Sequence, residues 1–434
     1  MKKILISLSE MRSYLLLWVT QLISGLGSAM TSYALVIWSY TQEGSALVTA
    51  LLMVCSYAPY VLCSIFAGAL SDRWDKKKIL LTCDALAALC TLIVLILLKN
   101  CQLRIWQLYI INAISGLMNT VQQPAAEVAV TSLLPKAYYQ KVGALRYLSS
   151  SVNSILTPIL ATALLGLGGM DMIFVLDLGS FLLAFLTLLW GISIPFVQER
   201  KEKKESLLCS AKAGIVWLQK NPGIFHLMLF LASINLVASM YNAAFPAMML
   251  SHPQGGETKM GIVNAIIGIA SLAGSILAAF SKAPKSRIKA IWLCLLLSMS
   301  TENFFLAFGN GMPLWCIGAF LGWIAIPYMN ANLDAVNRLT IPQEIQGRVF
   351  AARNSFQFFT IPLGYFLGGF LVDQVFEPLL AGLTASSLLV RWFGSGKGSG
   401  AACFFAVLWL LGILVCLLFR KDQPIWHLEK DLAK

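Results

Sequence analysis

The chain has 434 residues, of which 58% are hydrophobic and only 12% charged. Soluble proteins carry about twice that charge, so soluble enzymes, nucleic-acid binders and secreted disulfide scaffolds are excluded. The net charge of +12 is therefore read as a marker of membrane topology, with no nucleic-acid partner.

In chain order, charges and Gly/Pro breaks divide the apolar runs into twelve predicted spans: 13–40, 46–70, 79–98, 104–132, 142–168, 171–195, 223–250, 258–281, 288–308, 313–338, 348–372 and 399–419. Each is near or above the roughly 20 residues that a bilayer demands of a helix. The first follows Lys2, Lys3 and Arg12, and its apolar run is too long for a signal-peptide core. The ninth carries Glu302, and Gly309 to Pro313 separates it from the tenth. The longest polar connection, 196–222, joins a charge run to an amphipathic stretch with Leu207, Ala211, Ile215 and Leu218. Residues 373–398 form an insertion whose apolar part is too short to cross.

Counting Lys and Arg by alternate connections puts 27 on one side and 5 on the other. By the positive-inside rule both termini are cytoplasmic. Six spans on each side of the linker suggest an internal repeat. Glu127 stands eight residues before Pro135 and Asp334 eight before Pro342; Gly143 precedes Pro158 by fifteen, as Gly347 precedes Pro362. The expected fold is an all-α membrane protein, with twelve transmembrane helices in two pseudo-symmetric six-helix bundles. Its parts are residues 1–195, the linker 196–222, and 223–434 with the insertion at 373–398.

Between spans two and three stand Gly68, Leu70, Asp72, Arg73, Asp75, Lys76 and Lys77. Their spacing resembles the signature loop of the major facilitator superfamily, Gly-x-Leu-x-Asp-Arg-x-Gly/Asp followed by two basic residues. Within that superfamily the chain is similar to the macrolide-efflux-like drug exporters, a branch that also holds siderophore exporters. Gln21, Gly27, Asp84, Asp177, the 213–222 stretch and 347–350 add to this likeness. The resemblance implies two bundles around a cavity that opens alternately to either side. Spans 1, 4, 7 and 10 would line it, and Gly68, Asp72, Arg73, Asp75, Lys76 and Lys77 would form a gating loop. The chain departs from the pattern in its second-half loop at 281–287, in lacking an arginine in span four, where Asn112 stands, and in its eroded Thr157-Pro158 motif.

A carboxylate inside the bilayer costs a few kcal/mol, so each is a functional candidate. Glu127 and Asp334 lie about 12 Å of helix from their loop prolines, on spans assigned to the cavity, and are expected to be a protonatable pair coupling proton entry to substrate exit. Asp177 and Glu302, on peripheral spans, are expected to be structural anchors, and Asp84 to pair with the basic loop. The cavity candidates are Gln21, Tyr33, Gln122, Gln123, Asn235, Tyr241, Asn242, Trp323, Tyr328, Asn330 and Asn332. Apolar and aromatic walls with few polar groups suit an amphipathic ligand.

The ten cysteines lack CxxC spacing and the three histidines are scattered, so no metal site is expected. No cofactor is expected either, since the glycines at 394–400 lack the spacing of a phosphate loop. The expectation is therefore a monomeric, non-enzymatic secondary transporter in the cytoplasmic membrane, exporting amphipathic small molecules by alternating access in exchange for protons. A facilitator, an importer, a siderophore exporter or a lipid flippase on the same fold is the alternative.

Overall fold

The computed structural model describes residues 11–73, 75–133, 139–192, 215–309, 311–342, 349, 357–384 and 386–432. Regular structure among them is helical throughout: α1 (Arg12–Glu43), α2 (Ala46–Arg73), α3 (Lys76–Lys99), α4 (Ile105–Leu133), α5 (Tyr139–Leu186), α6 (Pro222–Ser251), α7 (Glu257–Phe280), α8 (Arg287–Phe308), α9 (Met312–Ile324), α10 (Ile326–Thr340), α11 (Thr360–Leu371), the short α12 (Glu377–Ala381) and α13 (Leu388–Phe393), α14 (Ser399–Arg420) and α15 (Gln423–Leu432). Nine helices among the described residues are long and apolar enough to cross a membrane. The chain is a multi-pass helical membrane protein.

The predicted spans compare with the observed helices as follows. Spans five and six run together as α5, which turns at Gly169 (φ 65°, ψ −164°), a conformation open to glycine and strained for other residues. Span four is present as α4, but Gln107, Asn112, Asn119, Gln122 and Gln123 dilute its apolar character. Span eleven begins among residues outside the described set. The tenth span is broken: α9 and α10 meet at Ala325, and Pro327 removes a backbone donor just after the break.

Contacts divide the chain into two compact units, one of Met1–Leu35 with Leu62–Lys204 and one of Val36–Val61 with Glu205–Lys434. In the first unit, Asp75 caps α3 by accepting from the Lys77 and Lys78 amides at 2.8 and 3.3 Å. Lys77 Nζ donates to the carbonyls of Leu189 (2.9 Å) and Ile192 (2.6 Å). The chain continues past α5 in a π-helical turn, Thr187–Gly191, and a cation at its end satisfies carbonyls that the turn leaves open. Asp177, 3% exposed, ties α5 to α1 and α3 by accepting from Ser28 (3.0 Å), Thr31 (2.8 Å) and Thr91 (3.4 Å).

The second unit includes the end of α1 and the start of α2, because α11 holds them. A Cβ on Gly369 would stand 2.6 Å from Leu47 Cα, and one on Gly368 would stand 2.7 Å from Met240 Cα. Small residues at these positions let backbones touch, the usual basis of helix association in lipid. Just past α11, Asp373 accepts from Ser45 Oγ (2.5 Å) and from the Ala46 (3.0 Å) and Leu47 (2.9 Å) amides. A carboxylate thus caps the N-terminus of α2 across 328 residues of sequence. Tyr40 and Ser251 bond hydroxyl to hydroxyl at 2.6 Å. Glu377 caps α14 in the same way, accepting from Gly398 (3.0 Å) and Ala401 (3.2 Å).

Gly369→Leu is expected to lower the melting temperature of the purified protein sharply, whereas Gly179→Leu, at a site with nothing within 4 Å of a Cβ, leaves it nearly unchanged. Burial holds the Glu377 carboxyl above the usual carboxylate range; the Ala401, Gly398 and Gly400 amides oppose the rise and Asp373 adds to it. The folded protein therefore holds this proton more tightly than the unfolded chain. Stability falls as pH rises from the ordinary value of 4.5 through the folded one. Glu377→Gln keeps an acceptor for the α14 amides and should remove that fall in melts recorded across pH.

Candidate functional site

In the first unit α1, α3, α4 and the first arm of α5 surround a cavity of about 590 Å³. Its wall is mostly apolar: Leu17, Leu22, Leu80, Ala126 and Val142, with the rings of Tyr14 and Trp18. Gln21, Gln122, Gln123, Ser149, Asn153 and Arg146 supply polar groups. The volume lies within the usual range for small-molecule pockets, and the mixture of wall types is that of a ligand site.

Helical spacing explains how the amides converge. Gln21 on α1 and Gln122 on α4 both donate to Asp84 on α3, Gln21 to Oδ2 at 3.2 Å and Gln122 to Oδ1 at 2.7 Å. Asp84 thus finds two neutral amides where the sequence reading expected the basic loop. Each amide spends an N–H on the carboxylate and keeps its carbonyl oxygen for another partner. Trp18 is fixed on the cavity wall by donating from Nε1 to the Leu145 carbonyl at 3.1 Å. Asn153 Oδ1 is buried with no hydrogen-bond partner among the described residues, an acceptor left open on the wall.

Of the polar and aromatic wall, sequence reasoning found Gln21, Gln122 and Gln123 and missed Tyr14, Trp18, Arg146, Ser149 and Asn153. The count of 27 cations on one side takes Arg146 with Lys136 and Lys141 as loop residues, yet Arg146 falls four residues inside predicted span five. That position was the signal. Arg146 also acts electrostatically on Tyr14 across the cavity wall.

The other sequence candidates are distributed as follows. Tyr33 packs at the edge of a core formed by Met30, Ala34, Ala161 and Ile173. Asn235 donates to the Gln357 carbonyl at 3.3 Å. Asn242 and Asn330 are exposed, and Tyr328 is half-buried. Asn332, 3% exposed, accepts from Arg287 at 3.4 Å and donates to the Tyr328 carbonyl at 2.9 Å. Tyr241 is buried between Phe245 and Phe405, with ring centroids 5.6 and 5.4 Å away. Trp323 donates to Glu302 at 2.9 Å. Asp334 is exposed on α10. Glu127 lies on α4 and Gly68, Asp72 and Arg73 on α2, with the side chains of Glu127, Asp72 and Arg73 outside the described set. Lys76 heads α3 next to the capping Asp75.

Comparison with known proteins places this arrangement. Residues 17–301 match the family model of the Major Facilitator Superfamily. The macrolide efflux protein A of Streptococcus pyogenes is 22% identical over 361 residues, 83% of this chain and 89% of its own. The enterobactin exporter of Shigella boydii is 26% identical over 373 residues, 82% of this chain and 81% of its own. A crystal structure of a bacterial homologue of the iron transporter ferroportin, in an inward-facing state, superposes with a TM-score of 0.66 at 15% identity, covering 95% of this chain and 98% of that one. The likeness in fold extends over nearly the whole chain, and the family model matches about its first two thirds. The chain belongs to the major facilitator superfamily and is a membrane transporter, not an enzyme.

Proposed function

We propose that the protein exports amphipathic small molecules, macrolide-like drugs among them, from the cytosol by alternating access coupled to inward proton movement. The observation that carries this reading is the 590 Å³ cavity of the first unit, apolar and aromatic on most of its wall with a few convergent amides. Such a wall binds through desolvated apolar area and admits ligands of varied outline. Two relatives named for macrolide efflux and enterobactin export support the direction of transport.

In this reading the chain sits in the cytoplasmic membrane as a monomer with both termini in the cytosol. It forms two six-helix bundles, 1–195 and 223–434, joined by the linker 196–222. Gly68, Asp72, Arg73, Asp75, Lys76 and Lys77 bias the cytosolic gate, and the Lys77 bonds to the Leu189 and Ile192 carbonyls support that role. Glu127 and Asp334 take part in proton coupling. The Asp373 cap on α2 lies on the outer side and holds it shut until its bonds break.

A second reading, export of an acidic siderophore, is favoured by Arg146. A guanidinium lining the cavity attracts carboxylate or phenolate oxygens in bidentate geometry.

The test is accumulation of a labelled macrolide in efflux-deficient bacteria with and without the protein. Lower accumulation that a protonophore abolishes supports the proposal; unchanged accumulation removes macrolides as substrates. Gln122→Ala removes the amide carbonyl left open to a ligand, a hydrogen bond of about 1 kcal/mol, and is expected to raise KM about fivefold with kcat retained. Arg146→Gln separates the two readings, because it impairs an acidic substrate and spares a neutral or cationic one.

A further inference from the structure

Among the described residues of the second unit, Glu302 is the most completely enclosed carboxyl. It is 5% exposed and lies fifteen residues into α8, about 22 Å from Arg287 along the helix axis. Trp323 Nε1 donates to Oε1 at 2.9 Å. On the other side Gly322 lies so close that a Cβ there would stand 3.0 Å from Oε2. The third neighbour is Tyr241 from α6, whose buried hydroxyl has no partner in strict hydrogen-bond geometry among the described residues yet lies close enough to Glu302 to act on its carboxyl.

These partners suit both protonation states of the same carboxyl. An indole N–H donates only, whereas a phenol donates or accepts. As a carboxylate, Glu302 accepts from Trp323 and can accept from Tyr241. As a neutral acid it keeps the Trp323 bond through its carbonyl oxygen and can donate its own proton to the Tyr241 oxygen. Asp177, by comparison, already accepts from three hydroxyls, whereas Glu302 has the single Trp323 donor among the described residues and leaves Oε2 open to a proton.

Other ionisable groups do not intervene. Tyr241 and Trp323 are the side chains that act on the Glu302 carboxyl. On α8 itself Arg287, Lys289 and Cys294 lie two or more turns away. Packed against α8, α9 offers Cys316, α10 offers Asp334 and Arg338, and α14 offers Cys403, Cys416 and Arg420. The short α13 and α15 offer Arg391 and His427. A charge at Glu302 therefore has no counter-ion among the described residues, and this is the costly condition inside a bilayer.

The location ties this carboxyl to a jointed helix. Trp323 lies on the last turn of α9, two residues before the break at Ala325. Gly274 of α7 fits against that break, where a Cβ would overlap the Ile324 carbonyl oxygen and stand 3.1 Å from Pro327 Cδ. The Glu302–Trp323 bond pins the arm above the break, while Arg287 and Asn332 bond the arm below it at 3.4 Å.

We propose that Glu302 is a proton-binding site of the transport cycle, and that its proton occupancy sets how firmly Trp323 holds the α9 arm at the Ala325 joint. This rests on the proton-coupled reading above and adds a carboxyl to it. In the step, the Glu302 carboxylate accepts a proton arriving from the outer side and becomes the neutral acid. The Trp323 bond, charge-assisted before, becomes an ordinary one. The arm loosens, and the proton leaves to the cytosol when the carboxylate reforms.

The test is infrared difference spectroscopy of the full chain in liposomes, comparing about pH 5 with about pH 9. The expected result is a carbonyl band of a protonated carboxylic acid that titrates with pH and is lost in Glu302→Gln, which keeps an acceptor for Trp323. In Trp323→Phe, which leaves the carboxyl intact, the midpoint of that band shifts. The same titrating band in Glu302→Gln, or a midpoint unmoved in Trp323→Phe, overturns the proposal. In the same liposomes Glu302→Gln should retain exchange of labelled macrolide at equal pH while losing at least tenfold in proton-gradient-driven flux. Wild-type flux indifferent to the gradient overturns the coupled-export reading itself, and the infrared band still decides whether Glu302 takes up a proton.

Discussion

The constraint on which the rest depends is the cost of holding a carboxyl group in hydrocarbon without a cation beside it. Three such groups organise the described helices, and each is met by neutral donors. Three hydroxyls meet Asp177, two glutamine amides meet Asp84, and one indole N–H meets Glu302. The number of donors separates their roles. Asp177 is saturated and binds three helices together. Asp84 is held by two amides that also face a cavity. Glu302 has a single donor and a phenol beside it that can act in either sense.

Two further carboxylates work at helix ends instead of helix middles. Asp373 caps α2 and Glu377 caps α14, and both use backbone amides that a helix leaves open at its start. The amides and the macrodipole supply the positive partner that lysine or arginine would supply elsewhere. Such contacts depend on direction and break as a unit when a helix end moves. That is the behaviour a gate requires. The glycine face of α11 complements them, because backbones can meet there without side chains to reorder.

Much of this was legible in the sequence, for physical reasons. Spans declare themselves because every backbone group in lipid must bond within its own helix, so long apolar runs have one stable form. Gln21 and Gln122 stood out because amides are costly in such runs. What was not legible depends on pairing across the chain. Nothing local to Asp373 announces that its partners are Ser45, Ala46 and Leu47, and the same holds for Trp323 and Glu302. Asp84 was assigned to the nearest cations, yet helix packing turns it towards α1 and α4. Arg146 was counted with the loops by charge alone, although its place inside an apolar span argued for the cavity wall. Span ten was read as one unbroken helix, and neither its break at Ala325 nor the position of that break relative to Glu302 was anticipated.

The central claim is that proton uptake at carboxyls inside the helices drives substrate in the opposite direction. It is tested most directly with the purified protein in liposomes containing a pH-sensitive dye. A gradient of macrolide is imposed, with internal and external pH equal at the start. The account predicts that protons move against the macrolide, so that the lumen acidifies as drug leaves it and becomes alkaline as drug enters. Macrolide flux that leaves the internal pH unchanged would contradict it.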